Sequence, residues 1–106
     1  MTSTTWHRAF AVAELGDGQM RAFQVGEREI LICRTPEGCF ALDNTCTHAD
    51  ARMVEGRLRG TRLVCPLHGA SYDVRSGTVL GAPATLPLRT HALRIVAAHF
   101  EVGLES

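Results

Sequence analysis

The chain has 106 residues, of which 45% are hydrophobic and 21% are charged. This length predicts a single domain, and the composition is typical of a globular protein, which excludes a disordered or collagen-like chain. The 11 basic residues balance the 11 acidic ones, so we expect neither nucleic acid nor an anionic membrane surface as a partner. No apolar run approaches the roughly 20 residues of a membrane-spanning helix.

The first part of the chain, residues 1–43, is predicted to form short strands separated by turns rich in glycine and proline. The strand-like stretches are Phe10–Ala13, Met20–Val25, Glu29–Arg34 and Cys39–Leu42. The last two flank Thr35-Pro36-Glu37-Gly38, which predicts a hairpin.

The end of the chain repeats this pattern. Thr90–Val96 and His99–Leu104 are predicted to form a second hairpin with a tight turn near Ala97-Ala98. No segment of the chain has a sustained 3.6-residue period, so the fold class is predicted to be all-β.

The stretch between these hairpins is dense in glycine and poor in strands. Only Arg62–Val64 and Ser71–Val74 have strand character, and one helical turn is expected within Ala49–Glu55. Such an insertion needs something other than apolar packing to organise it.

The insertion contains two short boxes that each combine one thiol with one imidazole. The first is Cys46-Thr47-His48 and the second is Cys65-Pro66-Leu67-His68, with 16 residues between them. These four residues, Cys46, His48, Cys65 and His68, are the candidate metal ligands.

Three interpretations of the boxes compete. A tetrahedral zinc site usually takes a Cys pair from one element and a His pair from another, so mixed boxes count against zinc. If one Cys–His couple acted as a catalytic nucleophile and its base, the second couple would be redundant. A [2Fe–2S] centre with two Cys on one iron and two His on the other needs ligands at both ends, which two mixed loops provide. The iron–sulfur interpretation is favoured, and the others stay open.

The two boxes, Cys46-Thr47-His48-Ala49 and Cys65-Pro66-Leu67-His68-Gly69, resemble those of Rieske [2Fe–2S] proteins. The resemblance continues through Ser71-Tyr72-Asp73 to Gly81-Ala82-Pro83. It implies that Cys46 and Cys65 hold the buried iron, and that His48 and His68 hold the outer one.

The resemblance also implies an architecture. A single Rieske domain, residues 1–106, would have an antiparallel β-sandwich-like basal part (1–43 and 86–106). A cluster-binding insertion of two loops (44–85) would be set into it.

Some positions depart from the respiratory members of this family. Ala51 and Leu67 stand where those proteins carry a bracing disulfide, and Ala70 replaces a serine whose hydroxyl meets a bridging sulfide. Tyr72, whose phenol bonds a ligand Cys sulfur in such relatives, is retained. With one donor to sulfur lost, we expect a potential toward the lower part of the roughly −150 to +300 mV Rieske range.

The function implied by the resemblance is that of a soluble one-electron carrier, not an enzyme: the ferredoxin component of a bacterial multicomponent dioxygenase system. It would receive electrons from a flavin-dependent ferredoxin reductase and pass them to a terminal oxygenase that acts on aromatic rings. The alternatives are a small Rieske subunit of an assimilatory nitrite reductase, and a module whose cluster serves only structure or sensing.

The remaining expectations concern location and surface. The N-terminus has no leader-like segment, so we expect a cytoplasmic monomer. Cys33 and Cys39 could face each other across their hairpin, but in that compartment two unpaired thiols are expected. Ala49, Leu67 and Pro83 are predicted to form an apolar rim around the His ligands.

Overall fold

The computed structural model describes residues 3–47 and 50–105, and within them it confirms the all-β prediction. The strands are β1 (Thr4–Ala11), β2 (Met20–Val25), β3 (Arg28–Thr35), β4 (Gly38–Asp43), β5 (Arg57–Arg59), β6 (Arg62–Val64), β7 (Ser71–Asp73), β8 (Val79–Gly81), β9 (Thr90–Val96) and β10 (His99–Glu105). Two 3₁₀ turns, Val12–Glu14 and Met53–Glu55, complete the regular structure of these residues.

The strands form two antiparallel sheets. A six-stranded sheet with the order β1-β10-β9-β4-β3-β2 is built from the two ends of the chain, and a four-stranded sheet with the order β5-β6-β7-β8 lies between them in sequence. Within the described residues no helix is long and apolar enough to cross a membrane.

Strand β3 joins the two sheets because both of its faces are buried. Ile30, Leu31, Ile32 and Cys33 are all completely inaccessible to solvent. Side chains alternate along a strand, so Ile30 and Ile32 point to one side while Leu31 and Cys33 point to the other.

Each face of β3 belongs to a different core. The basal core contains Leu15, Ile30, Ile32, Ala41, Phe100, Val102 and Leu104. The insertion core contains Leu31, Cys33, Leu42, Cys46, Ala51, Met53, Leu63, Cys65, Ala70, Tyr72, Val74, Ala84 and Leu88. The four-stranded sheet is thus held by apolar packing against one face of the basal sheet.

The register of β3 and β4 corrects the prediction that Cys33 and Cys39 could face each other. Cys33 lies opposite Phe40, and Cys39 lies opposite Arg34. An offset of one residue places the two thiols on opposite faces of the hairpin. Both are free thiols in the structure, as expected.

The strand predictions were incomplete in two respects. The predicted strand Phe10–Ala13 overlaps the end of a longer strand that begins at Thr4 and pairs with β10, and Val12–Glu14 turns away as a 3₁₀ turn. The three-residue strands β5 and β8 were not predicted, and they form by pairing with β6 and β7. The partner of β1 is distant in sequence, whereas the partners of β5 and β8 are near.

The turn between β9 and β10 is strained. Ala97 and Ala98 have φ angles of 50° and 63°, both in the left-handed region, and they connect the paired residues Val96 and His99. A two-residue hairpin turn with two positive φ angles favours Asn-Gly, and a residue with a Cβ pays about 1–2 kcal/mol in this region.

Replacing Ala97-Ala98 with Asn-Gly is therefore expected to stabilise the protein by about 1 kcal/mol, which raises the melting temperature by about 4–8 °C in a domain of this size. The measurement is thermal unfolding followed by circular dichroism. Ala92→Gly, in the extended strand β9, is the control and should destabilise by about 0.5–1 kcal/mol. Equal losses of stability from both changes would contradict the assigned strain.

Candidate metal centre

The two predicted boxes lie in two short hairpin loops. The first loop, residues 46–51, follows an antiparallel bridge between Thr45 and Arg52. The second loop, residues 65–70, connects β6 to β7. Both loops therefore hold their box between two paired extended segments.

The base of each loop is closed by the same hydrogen bond. The amide of Cys46 donates to the carbonyl of Ala51 at 2.9 Å, and the amide of Cys65 donates to the carbonyl of Ala70 at 2.7 Å. All four residues are buried in the insertion core. Each loop thus starts with an anchored cysteine whose side chain has little freedom to turn toward solvent.

The structure brings the two cysteines together. Cys46 and Cys65 are 4% and 3% exposed and lie in the same buried cluster, the insertion core. Burial raises the pKa of Cys65, and the neighbouring Cys46 thiol raises it further, although the amide of Leu67 opposes this. Since metal ligands must be thiolates, binding of a metal centre here releases protons.

A buried phenol reaches the same sulfur pair. Tyr72, fully buried in β7, has its hydroxyl oxygen 3.2 Å from Cys46 Sγ and 2.8 Å from Thr47 Oγ1. Burial and the contact with Cys46 raise the pKa of this phenol, while Thr47 lowers it. Tyr72 therefore remains protonated and has its hydroxyl in contact with Cys46 Sγ, the contact that the resemblance implied.

The imidazoles are described only in part. His68 is exposed and has a φ angle of 63°, and Gly69 follows it with 76°, so the second loop turns sharply at its tip. His48 and Ala49 lie outside the described residues. Within 3–47 and 50–105 no group of three or more potential metal-ligating side chains is found.

Sequence reasoning missed the residue that fixes the entry to the first loop. Asn44 is fully buried, and its side-chain amide donates to Glu29 at 2.9 Å and accepts from the amide of Val54 at 2.9 Å. Its backbone donates to the carbonyl of Glu29 and accepts from the amide of Met53. The only sequence signal was a polar residue two positions before Cys46, the start of the first box.

Glu29 in β3 completes this anchor. Its carboxylate accepts from Arg52 at 2.6 and 3.0 Å, at the far end of the first loop. The hydrogen bond from Arg52, followed by the one from Asn44, lowers the pKa of Glu29. The basal sheet thereby holds both ends of the first loop through one carboxylate.

The pH dependence of this anchor is a testable consequence. Because the pKa of Glu29 is lowered below its ordinary value of 4.5, its stabilising effect is present above pH 4.5 and is lost as pH falls through the folded value. Glu29→Gln should therefore accelerate bleaching of the loaded protein on mild heating at pH 7, and the difference from wild type should shrink by pH 4.

The measurement is the rate of loss of visible absorption at each pH. Glu27→Gln, the same change in the exposed β2–β3 turn, is the control and should match wild type throughout. A Glu29→Gln effect that is as large at pH 4 as at pH 7 would argue against the ionised carboxylate as its cause.

Cys46 and Cys65 are buried at the bases of two matching loops on an all-β scaffold. This arrangement is typical of a domain that holds a metal centre. Residues 5–92 match the family model of the Rieske [2Fe-2S] domain. The chain belongs to the Rieske [2Fe–2S] domain family. The predicted fold and the predicted Rieske-type [2Fe–2S] cofactor are confirmed, and the zinc and nucleophile interpretations are set aside.

Similar proteins come from several dioxygenase systems. The chain is 33% identical over 103 residues to the anthranilate 1,2-dioxygenase ferredoxin subunit of Burkholderia cepacia, covering 97% of this chain and 95% of that one. It is 37% identical over 92 residues to the ferredoxin component of biphenyl 2,3-dioxygenase of Rhodococcus jostii (strain RHA1), covering 87% and 86%.

A solved structure has the same fold. A chain in the complex of reduced oxygenase and oxidized ferredoxin in carbazole 1,9a-dioxygenase superimposes with a TM-score of 0.86 at 28% identity, covering 92% of this chain and 91% of that chain. The alignment thus includes nearly the whole of both chains.

Proposed function

We propose that Cys46 and Cys65 hold the buried iron of the [2Fe–2S] cluster, and that His48 and His68 hold the outer iron. The burial of both cysteines in the insertion core and the exposure of His68 support this assignment. A two-iron centre with two Cys on one iron and two His on the other takes its ligands as two separate pairs. When bound, such a cluster takes up and releases one electron.

We further propose that the protein is a one-electron carrier and not itself an enzyme. It would accept electrons from a flavin-dependent ferredoxin reductase and deliver them to a terminal dioxygenase that acts on aromatic rings. The observation that carries this proposal is that one short loop has a buried cysteine, Cys65, at its base and the exposed His68 at its turn, which gives an electron a short path to the surface. The names of the relatives and the ferredoxin–oxygenase complex support the choice of partner.

The surface near this turn suits transient docking. Leu67, next to His68, is 45% exposed, and Leu86 is 62% exposed on a segment that is bonded to the first loop. Pro83 is also exposed. We call Leu67, His68, Pro83 and Leu86 the tip. Exposed apolar side chains beside an electron exit favour a short-lived contact with the oxygenase.

The proposal includes a monomer in the cytoplasm. Cys33 and Cys39, which are free thiols on opposite faces of one hairpin, fit a compartment in which thiols stay reduced.

The ligand assignment is tested by replacing each cysteine. Cys46→Ala and Cys65→Ala should each abolish the bound iron and sulfide, because each removes one of two thiolates on one iron. Cys33→Ala is the matched control, because Cys33 is an equally buried thiol that lies on β3, outside both loops. The measurement is iron and sulfide content with the visible spectrum. Full cluster content in Cys46→Ala would refute the assignment.

Docking through the tip is tested by one charged substitution. Leu67→Asp should slow the oxidation of the reduced protein by its terminal oxygenase by about tenfold, since a carboxylate must be desolvated in the contact. Ile95→Asp is the control, because Ile95 is 58% exposed on β9 in the basal sheet. The oxidation rates of both variants are measured by stopped-flow absorption, and the two variants should have equal reduction potentials. Equal rates in the two variants would place docking elsewhere.

The alternative functions give different results with the same protein. Constant co-purification with a large sirohaem subunit would indicate the nitrite reductase role. A cluster that cannot be cycled reversibly between its two redox states would indicate a structural or sensing module.

A further inference from the structure

We propose that Thr47 is a positioning residue that competes with Cys46 for the hydrogen bond donated by the Tyr72 hydroxyl. This competition lowers the reduction potential of the cluster. Thr47 also connects the cluster to the backbone of Leu86 in the tip. This inference rests on the proposed function, because it takes Cys46 as a ligand.

The side chain of Thr47 contacts two oxygen atoms at the same distance. Its Oγ1 is 2.8 Å from the carbonyl oxygen of Leu86 and 2.8 Å from the hydroxyl oxygen of Tyr72. A carbonyl oxygen can only accept, so the single proton of Thr47 goes to Leu86. Oγ1 of Thr47 is then left as an acceptor for the phenol of Tyr72.

The phenol of Tyr72 also has one proton and two acceptors. Thr47 Oγ1 lies at 2.8 Å and Cys46 Sγ at 3.2 Å. The amide of Thr47 donates to the phenol oxygen at 3.3 Å, which fills an acceptor position but supplies no proton for the sulfur. A strong hydrogen bond to Thr47 therefore weakens the one to Cys46.

This competition acts on the potential in one direction. Hydrogen bonds to the cysteine sulfurs stabilise the extra negative charge of the reduced cluster. When the Tyr72 hydroxyl donates to Thr47, the hydrogen bond to Cys46 is weaker and the reduced cluster is less stabilised. The cluster is then a better electron donor. Reduction in turn draws the proton toward Cys46 and leaves Thr47 without its donor.

The same chain of hydrogen bonds reaches the surface. Leu86 lies in the tip, and its carbonyl accepts the hydrogen bond that the Thr47 hydroxyl donates. Coupling between two sites is reciprocal, so a partner that strengthens the contact between Leu86 and Thr47 lowers the potential of the cluster. Docking and electron release are thereby linked through one hydroxyl group.

The test measures reduction potentials of the loaded protein in a double-mutant cycle. Thr47→Val should favour reduction by up to tenfold, which is about 59 mV for one electron, because the proton of Tyr72 is then given to Cys46 alone. Thr47→Ser keeps the hydroxyl and should match wild type. In a Tyr72→Phe background, Thr47→Val should not raise the reduction potential, because the hydroxyl donor for which Thr47 and Cys46 compete is gone.

Resonance Raman spectra supply a second readout. The iron–cysteine stretching bands of Thr47→Val should show greater sensitivity to deuterium exchange than those of wild type, because the hydrogen bond to sulfur is stronger. Thr47→Ala removes the same hydroxyl with a smaller side chain and serves if the valine variant does not load a cluster.

The outcomes separate this inference from the proposed function. A potential that falls or stays the same in both Thr47→Val and Thr47→Ala, or the same rise with and without Tyr72, would overturn the role of Thr47 while leaving a working carrier. Failure of the ligand assignment would show instead as full cluster content in Cys46→Ala.

Discussion

The two hydrogen bonds that close the bases of the loops are the constraint on which the site depends. The amides of Cys46 and Cys65 donate to the carbonyls of Ala51 and Ala70, and all four residues are buried in the insertion core. Tyr72 packs beside them, with its hydroxyl in contact with Cys46 Sγ. The positions of the two cysteines are therefore set by backbone hydrogen bonds at the bases of the loops.

The four-stranded sheet needs the basal sheet to keep this geometry. Its strands have three residues each, and a sheet of this size buries too little surface to be stable alone. One face of β3 supplies the missing apolar surface. Polar bonds add direction to this packing, since Glu29 binds both Asn44 and Arg52 at the two ends of the first loop. Apolar contacts hold the insertion, and the partly exposed carboxylate of Glu29 sets its orientation.

The parts of the fold and site that could be predicted are those encoded by local pattern. The strands at both ends follow from apolar runs between turns, and the two boxes follow from the spacing of Cys and His. The start of β1, the register that separates Cys33 from Cys39, and the role of Asn44 could not be predicted. The start of β1 depends on β10 and the role of Asn44 depends on Glu29, both of them partners that are not adjacent in sequence. The separation of Cys33 from Cys39 depends on the exact register of β3 against β4.

The hydrogen-bond donors around the sulfur pair relate this site to the role of a carrier. Ala70 offers no hydroxyl where the respiratory members have serine, and Thr47 competes with Cys46 for the one proton of Tyr72. Both features withhold donors from sulfur, and fewer donors make the reduced state less stable. A protein that must pass its electron onward benefits from a reduced state that is only weakly stabilised. The missing hydroxyl at Ala70, the competition at Thr47 and the exposed apolar tip thus serve the same end in the proposed carrier, rapid release of one electron to a docked partner.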